Sequence, residues 1–289
     1  MWALVINPSS GSGKGLRVGR NVKEFLVEHS LEHEIIAGDC TSSVRRNLSS
    51  FLVKHPDCSG VFSVGGDGTA HEVMQVTTPL KVPLAVIPAG SGNDLVRALG
   101  WPLDDVSDYL DKIISTPCTS IDLGYAQGQW FGAVLSTGFD SLVNERANRL
   151  SWPRGVMKYN AAIAIELPRF RPRHYEIRLD EQVISTGAML IAVANGSSYG
   201  SGMLVCPEAT MMDGYFDVMI LHPVSKWEFL KVFPRVFKGS HITHPAVQIV
   251  RSKTVRISAD AVAYADGERL GPLPVSARCV PDAMRTWVA

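Results

Sequence analysis

Gly65-Gly66-Asp67-Gly68-Thr69 joins residues that leave backbone N–H groups accessible to a residue that carries charge. An apolar run, Val61-Phe62-Ser63-Val64, precedes it and reads as a buried strand. Ala70 to Val76 follows and reads as a helix ending before Pro79. Strand, glycine loop and helix N-terminus together can hold a phosphate. Asp67 sets this loop apart. A carboxylate repels a polyphosphate unless a metal ion lies between them or a proton must be moved. The residue types therefore point to metal–nucleotide chemistry, with a plain strand–helix turn as the structural alternative.

Two further loops have the same grammar. Trp2-Ala3-Leu4-Val5-Ile6 leads into Asn7-Pro8-Ser9-Ser10-Gly11-Ser12-Gly13-Lys14-Gly15 and then a helical pattern to His29. Leu84-Ala85-Val86-Ile87 leads into Pro88-Ala89-Gly90-Ser91-Gly92-Asn93-Asp94 and a short helix-like run. In an open parallel sheet, ligands bind at the carboxyl edge, so three such loops can converge on one polyphosphate. The first loop is no Walker loop, since Gly15 follows Lys14 and Pro8 stands at the place of the leading glycine. It is no dinucleotide fingerprint either, because Gly11, Gly13 and Gly15 recur at every second residue.

At these loops the chain resembles the diacylglycerol kinase catalytic-domain family, which includes bacterial lipid kinases, sphingosine kinases and ceramide kinase. The matching residues are Asn7-Pro8-x-Ser10-Gly11, Gly65 to Thr69, and Pro88-x-Gly90-Ser91-x-Asn93-Asp94. The resemblance continues through Asp122, Asp213-Gly214 and Asp266-Gly267-Glu268. It implies that Asn7, Gly65, Gly66, Asp67, Gly68, Thr69, Ser91 and Asn93 line ATP and that Asp67 links Mg²⁺ to the phosphates. Asp94 reads equally as a helix cap, and Thr41 as a nucleotide contact or the cap of its own helix. The resemblance assigns Glu268 as the general base for a lipid hydroxyl, against an exposed hairpin turn. It assigns Asp213, with the carbonyls of Thr210 and Tyr215, as holding a structural Mg²⁺, an all-oxygen set suited to a hard cation. Asp122 could join a water–metal network near Asp67 or simply end a strand. His71 stands where Asn is common in the family.

These residues need elements to hold them. Residues 1–120 alternate strand-like segments (2–6, 33–37, 60–64, 84–87) with helix-like ones (16–29, 42–54, 70–78, 92–99, 104–114), which predicts an α/β domain with a mainly parallel sheet. From 121 to 280 short strand-like runs dominate: 121–126, 130–137, 174–180, 183–194, 215–221, 247–250, 253–259, 261–265 and 275–280. Helical regions interrupt them near 140–167 and 225–237. Asp213-Gly214 and Asp266-Gly267 read as hairpin-type turns. This predicts a second, mostly antiparallel, β-sandwich-like domain. The family implies that residues 281–289 return to the first domain.

Composition bounds the partners. Of 289 residues, 28 are Lys or Arg and 28 Asp or Glu, so the formal net charge is zero and nucleic acid is not the expected partner. The five cysteines form no C-x-x-C pair and read as reduced, small buried hydrophobes of a cytoplasmic protein. The apolar start meets Asn7-Pro8 too soon for a signal-peptide core, and no run reaches the ~18 residues of a membrane span. His241-x-x-His244 reads as loop structure. Arg154 to Arg178 carries six basic and two acidic residues with Trp152, Tyr159, Phe170 and Tyr175 interleaved, a solvated face or a surface for anionic headgroups.

The expectation is an ATP- and Mg²⁺-dependent lipid kinase of the compact bacterial type. It would be cytoplasmic, would visit the inner face of the membrane, and would phosphorylate diacylglycerol or a related lipid alcohol. An NAD kinase shares the Gly65–Thr69 loop but not Pro88–Asp94 together with Asp266-Gly267-Glu268. A non-catalytic lipid or nucleotide sensor would have no need of Asp67, Asp213 and Glu268. Lipid identity and oligomeric state, a homodimer included, stay open.

Overall fold

A computed structural model describes residues 1–38, 40–152 and 156–289. The chain divides into two units, Met1–Leu123 with Pro281–Ala289, and Gly124–Val280. The N-terminal unit is α/β. Strands β1 (Trp2–Ile6), β2 (His33–Ile36), β3 (Gly60–Gly65) and β4 (Leu84–Pro88) form a parallel sheet in the order β2-β1-β3-β4. β3 and β4 are buried along their whole lengths, as strands covered on both faces must be, so they read as continuous apolar runs. β2 is partly exposed at the edge. Helices α1 (Lys14–Glu28), α2 (Thr41–Lys54), α3 (Asp67–Thr77), α4 (Asp94–Ala98) and α5 (Ser107–Ser115) connect or follow the strands. α1 buries Val18, Val22 and Leu26, a stripe at four-residue spacing.

The chain leaves this unit within strand β5 (Thr119–Ala126) and returns within strand β16 (Val275–Thr286). In the returning segment, the Thr286 hydroxyl donates to Leu84 O (2.6 Å) and the Trp287 indole to Thr116 O (3.0 Å). The Trp101 indole donates to Trp287 O (2.9 Å).

The second unit carries two six-stranded sheets. One, in the order β12-β11-β10-β7-β14-β15, comprises β7 (Val134–Gly138), β10 (Leu190–Ala194), β11 (Phe216–Leu221), β12 (Val247–Ser252), β14 (Val262–Ala265) and β15 (Glu268–Pro272). The other, in the order β6-β5-β16-β13-β8-β9, adds β6 (Gln129–Phe131), β8 (Arg173–Leu179), β9 (Gln182–Ala188) and β13 (Thr254–Ser258) to β5 and β16. Their period-two alternation separates two cores. Ile191, Val193, Phe216, Val218 and Ile220 meet Phe131, Tyr175, Ile177, Val255 and Ile257 in a β-sandwich interior. The intervening residues Ala192, Ala194, Met219 and Leu221 pack with α6 (Phe139–Arg149), α7 (Val156–Glu166) and α8 (Lys226–Val232), through Phe139, Val143, Ala162 and Phe229.

Several sequence expectations change. The 140–167 helix is two helices, α6 and α7. The 183–194 run is two strands, β9 and β10, and the 130–137 run is β6 and β7. β15 was not expected, because Glu268-Arg269-Leu270-Gly271-Pro272 lacks a clear alternation; it is an edge strand, where Pro is tolerated. Asp266-Gly267 is a two-residue hairpin turn with both residues at positive φ, as a type I′ turn requires. Asp213-Gly214 is not a hairpin; it leads into β11, which pairs with β10 and β12. Phe170 and Tyr175 belong to cores rather than to a surface, and Arg154 lies outside the described residues. Among the described residues no helix is long and apolar enough to cross a membrane.

Candidate active site

In the N-terminal unit the order β2-β1-β3-β4 puts the topological switch point between β1 and β3, where the chain fans to opposite sides of the sheet. Asn7 follows β1 and Gly66 follows β3, so both stand at the carboxyl edge beside that point. The two loops are joined there. Asn7 N–H donates to Val64 O (2.9 Å), and the Asn7 side-chain amide donates to the Thr69 hydroxyl (3.0 Å) in the first turn of α3.

The third loop, after β4, closes against the second. Ala89 N–H donates to Gly65 O (2.7 Å). A Cβ on Gly90 would lie 2.5 Å from Gly66 Cα, so the two backbones touch and Gly90 has no room for a side chain; a Cβ on Gly66 would be tight, 3.1 Å from Gly90 Cα. The first loop closes on the third as tightly, since a Cβ on Gly11 would meet Ala89 O at 2.3 Å. Three glycine loops thus converge, each at the carboxyl end of its own strand.

Asp67, at the first position of α3, holds the third loop. One carboxylate oxygen accepts the N–H of Asn93 (2.8 Å) and the other that of Asp94 (2.6 Å). Asn93 caps α4 in the left-handed conformation, and its side chain closes the loop on itself, accepting from Gly90 N–H (2.9 Å) and donating to Gly90 O (3.0 Å). A Cβ on Gly92 would sit 2.4 Å from the Asp67 carboxylate and 3.6 Å from that of Asp94, so the two acids crowd one point. Ser91 is exposed on the same loop, and Gly68 is partly exposed at the start of α3. Asp94 is not the cap of α4, which is Asn93; it is the first residue of the helix, and its N–H is one of the groups Asp67 fixes. His71 is buried inside α3, with the Gln75 amide 3.4 Å from its ring. Thr41 opens α2, and its side chain lies outside the described ones.

Asp122 lies inside β5 rather than at its end, and its carboxylate accepts the N–H of Asp282 (3.0 Å). Lys81 donates to the carbonyls of Asp282 (2.8 Å) and Ala283 (3.2 Å), fixing the same bend.

The late acidic motif splits into two roles. The Asp266 carboxylate accepts N–H groups from Gly132 (2.7 Å), Ala133 (2.8 Å) and Val134 (3.2 Å), and so ties the β14–β15 hairpin to the segment between β6 and β7. Glu268, two residues on, is exposed at the start of β15, and among the described residues its carboxylate has no hydrogen-bond or ion-pair partner. Its neighbour Arg269 donates to Glu145 (3.2 Å).

Asp213 lies on the far half of this sheet, separated from Glu268's strand by β10, β7 and β14. It accepts Tyr215 N–H (3.0 Å) and pairs with the Arg251 guanidinium, which also lies over the Tyr215 ring. Thr210 and Tyr215 flank it in the chain. Burial pushes the neighbouring Asp217 carboxyl above its ordinary range, opposed by Arg251 and reinforced by the charges of Asp213 and Glu208. Two acids, Asp213 and Asp217, therefore share one guanidinium, and among the described residues no three His, Cys, Asp or Glu side chains are grouped to hold a metal ion. Arg251 is the resident competitor for a cation at Asp213.

A further acid escaped the sequence reading. Asp140, on the first turn of α6, is partly buried, and the Ser136 hydroxyl donates to its carboxylate (2.5 Å). Burial raises its carboxyl pKa more than this hydrogen bond lowers it. Its signal was available: β7, Gly138 and an acid opening a helix repeat the grammar around Asp67. Of the cysteines, Cys58, Cys206 and Cys279 are buried as expected, whereas Cys40 is exposed. The hydroxyls of Ser42 and Ser43 hold its thiol down at about 7. The pair His241 and His244 is structural: His241 faces Val205 O (3.1 Å) and His244 faces Glu228 (3.3 Å).

Comparison with known proteins agrees with this arrangement. Residues 1–126 match the diacylglycerol kinase catalytic domain, and residues 133–288 match the YegS C-terminal NAD kinase beta sandwich-like domain. A diacylglycerol kinase of Mycobacterium tuberculosis strain H37Rv is 36% identical over 96% of this chain and 92% of its own. A diacylglycerol kinase of Bacillus subtilis strain 168 is 28% identical over 94% of this chain and 90% of its own. In fold, the chain is similar to the crystal structure of a diacylglycerol kinase from Bacillus anthracis strain Sterne, with a TM-score of 0.75 at 19% identity, covering 100% of this chain and 96% of that one. With three glycine loops gathered at the switch point of one unit and a β-sandwich in the other, the chain belongs to the diacylglycerol kinase family and is a kinase.

Proposed function

We propose that this protein is an ATP- and Mg²⁺-dependent lipid kinase that transfers the γ-phosphoryl group to the hydroxyl of diacylglycerol or a closely related lipid alcohol. The observation that carries this reading is the Asp67 clasp. One carboxylate fixes two N–H groups of the loop after β4 while standing in the glycine loop after β3. Family membership and relatives named diacylglycerol kinase support the choice of acceptor.

In this reading the converged loops cradle the nucleotide. Asn7, Gly65, Gly66, Gly68, Thr69, Ser91 and Asn93 offer backbone and side-chain donors to phosphate and ribose. Asp67, with Asp94 beside it, would offer carboxylate oxygens, the donor type a hard cation such as Mg²⁺ takes. Mg²⁺ would neutralise the charge that builds on the β- and γ-phosphate oxygens. Glu268 accepts the hydroxyl proton of the lipid as its oxygen bonds to the γ-phosphorus. The bond from that phosphorus to the β–γ bridging oxygen breaks, and ADP leaves with the electron pair. A carboxylate without an internal partner is suited to this task, because nothing else competes for its lone pairs. Asp213, with the carbonyls of Thr210 and Tyr215, would hold a second, structural Mg²⁺ in place of the Arg251 contact. The protein would work from the cytoplasm on lipid in the inner face of the membrane.

The test is transfer of radiolabel from [γ-³²P]ATP into a total lipid extract and, separately, into diacylglycerol in mixed micelles. Labelled phosphatidic acid that requires Mg²⁺ is the expected product. Transfer to NAD with none to lipid would replace the reading by a small-molecule kinase. Nucleotide binding without transfer to any acceptor would leave a sensor.

A further inference from the structure

The segment of α8 and the tight helical turns after it (Phe233–Lys238) is apolar on both sides. Phe229, Val232 and Val236 face the core of the second unit. Trp227, Leu230 and Phe237 face outward, 78%, 47% and 51% exposed. Single exposed apolar residues are ordinary, but here Trp227 and Leu230, three residues apart, share one face of α8, and Phe237 is exposed in the turns that follow. The nearby helix α7 repeats the pattern: Met157 and Ile165, eight residues apart and so on one face, are exposed. Lys226 at the start of α8 donates to Pro168 O, just past the end of α7, and joins the two elements.

Charge selects the occupant. Residues 226–238 carry Lys226, Lys231, Arg235 and Lys238 against the single acid Glu228, in a chain whose net charge is zero. Glu228 faces His244 (3.3 Å), and Arg235 is spent on Ser240 O (2.6 Å) and the Thr243 hydroxyl (2.8 Å). Lys231 and Lys238 are exposed, with no partner among the described residues. An outer face of Trp, Leu and Phe bordered by lysines is the composition that lies in a lipid–water interface: the rings enter the acyl boundary and the ammonium groups meet anionic headgroups.

We infer that Trp227, Leu230 and Phe237, flanked by Lys231 and Lys238, form a membrane-docking face that seats the second unit on an anionic lipid surface. The inference rests on the lipid-kinase reading and extends it by naming where the protein meets the bilayer. It relocates the lipid contact from the Arg154–Arg178 stretch, in which Arg173 faces Asp260 (3.9 Å).

The test is sedimentation with vesicles of phosphatidylcholine, with and without phosphatidylglycerol, in the absence of ATP, so that a failed kinase reading leaves it intact. The wild-type protein should bind the mixed vesicles in a salt-sensitive way. Replacing Trp227, Leu230 and Phe237 together by Ser should lower the partition coefficient about tenfold or more at unchanged Tm. Lys231→Gln with Lys238→Gln should lower it about fivefold per lysine and remove most of the salt dependence. Both variants should keep wild-type turnover of a water-soluble short-chain acceptor. Absence of wild-type vesicle binding, or wild-type binding by the serine variant, overturns the proposal. So does a serine variant that binds vesicles normally but sediments as a smaller species than wild type, because the face is then covered by a second copy of the chain. If the serine variant loses Tm, Leu230→Ser alone, with half of that side chain already in solvent, carries the test.

Discussion

Asp67→Asn keeps the size of the side chain but replaces one of the two oxygens that hold the Asn93 and Asp94 N–H groups. One of those donors is then left facing an amide NH₂, at a cost of about 1–3 kcal/mol. The expected result is a lower Tm together with a fall in kcat of about a hundredfold or more, because a positioned charge is lost as well. Wild-type kcat in a folded variant would remove Asp67 from the chemistry. Glu268→Gln should behave differently. The side chain is exposed and has no partner to lose, so Tm stays at the wild-type value while kcat drops by roughly 10²–10⁴ and ATP affinity is unchanged. Weakened ATP binding with normal kcat would move Glu268 to the nucleotide shell. At Asp213 the structure supplies a competitor in Arg251. If Mg²⁺ is held there, Mg²⁺ without nucleotide raises Tm, and Asp213→Ala abolishes that rise by mass action. No Mg²⁺ effect in wild type would assign Asp213 to Arg251 alone.

At the scale of elements, the site depends on loops that touch through backbone. Gly90→Ala places a Cβ where Gly66 Cα already lies, so the loops after β3 and β4 must separate. The expected cost is about 1–3 kcal/mol of stability, as for other overpacked contacts, with a several-fold rise in the Kd for ATP. An unchanged Kd, measured by calorimetry, would mean that the nucleotide does not need that contact. The strand–loop–helix order of the first unit is legible in the sequence, because apolar runs and glycines mark it at short range, whereas in the second unit merged runs hid several element boundaries and β15. That Gly66 meets Gly90 is not legible, since it arises from the pairing of β3 with β4. Nor is the division of Asp266-Gly267-Glu268 into an acid that ties down a hairpin and an acid left exposed. That depends on the segment between β6 and β7, more than 130 residues away in the chain.

At the scale of the molecule, stability should depend on pH through the second unit. Burial raises the Asp140 carboxyl above its ordinary value of 3.8 and, by the same cause, that of Asp217. The native state therefore keeps protons that the unfolded chain has released. This contribution is complete below about pH 4 and is lost as pH rises through the raised native values. Tm should fall across that window, and Asp140→Asn should flatten the fall by removing one of the two protons. If the two units unfold separately, the pH-sensitive transition should belong to residues 124–280. An Asp140→Asn profile with the wild-type slope would place the linkage elsewhere.

Taken by itself, the sequence determined the α/β unit, the β-rich unit, the three glycine loops and the kinship they carry. These follow from local patterning: apolar runs, period-two alternation, and glycine beside acid at strand ends. Local patterns also exposed the acids without ranking them, since Asp67, Asp122, Asp213, Asp266 and Glu268 look alike one residue at a time. Tertiary structure decided which of them spend their oxygens on distant N–H groups and which of them keeps its carboxylate unengaged. It also decided that Phe170 and Tyr175 belong to cores while Trp227 does not. The physical reason is the same throughout. A side chain's partners, exposure and charge balance are set by strand pairing and by packing between segments far apart in the chain, and a pattern read along a few residues cannot encode them.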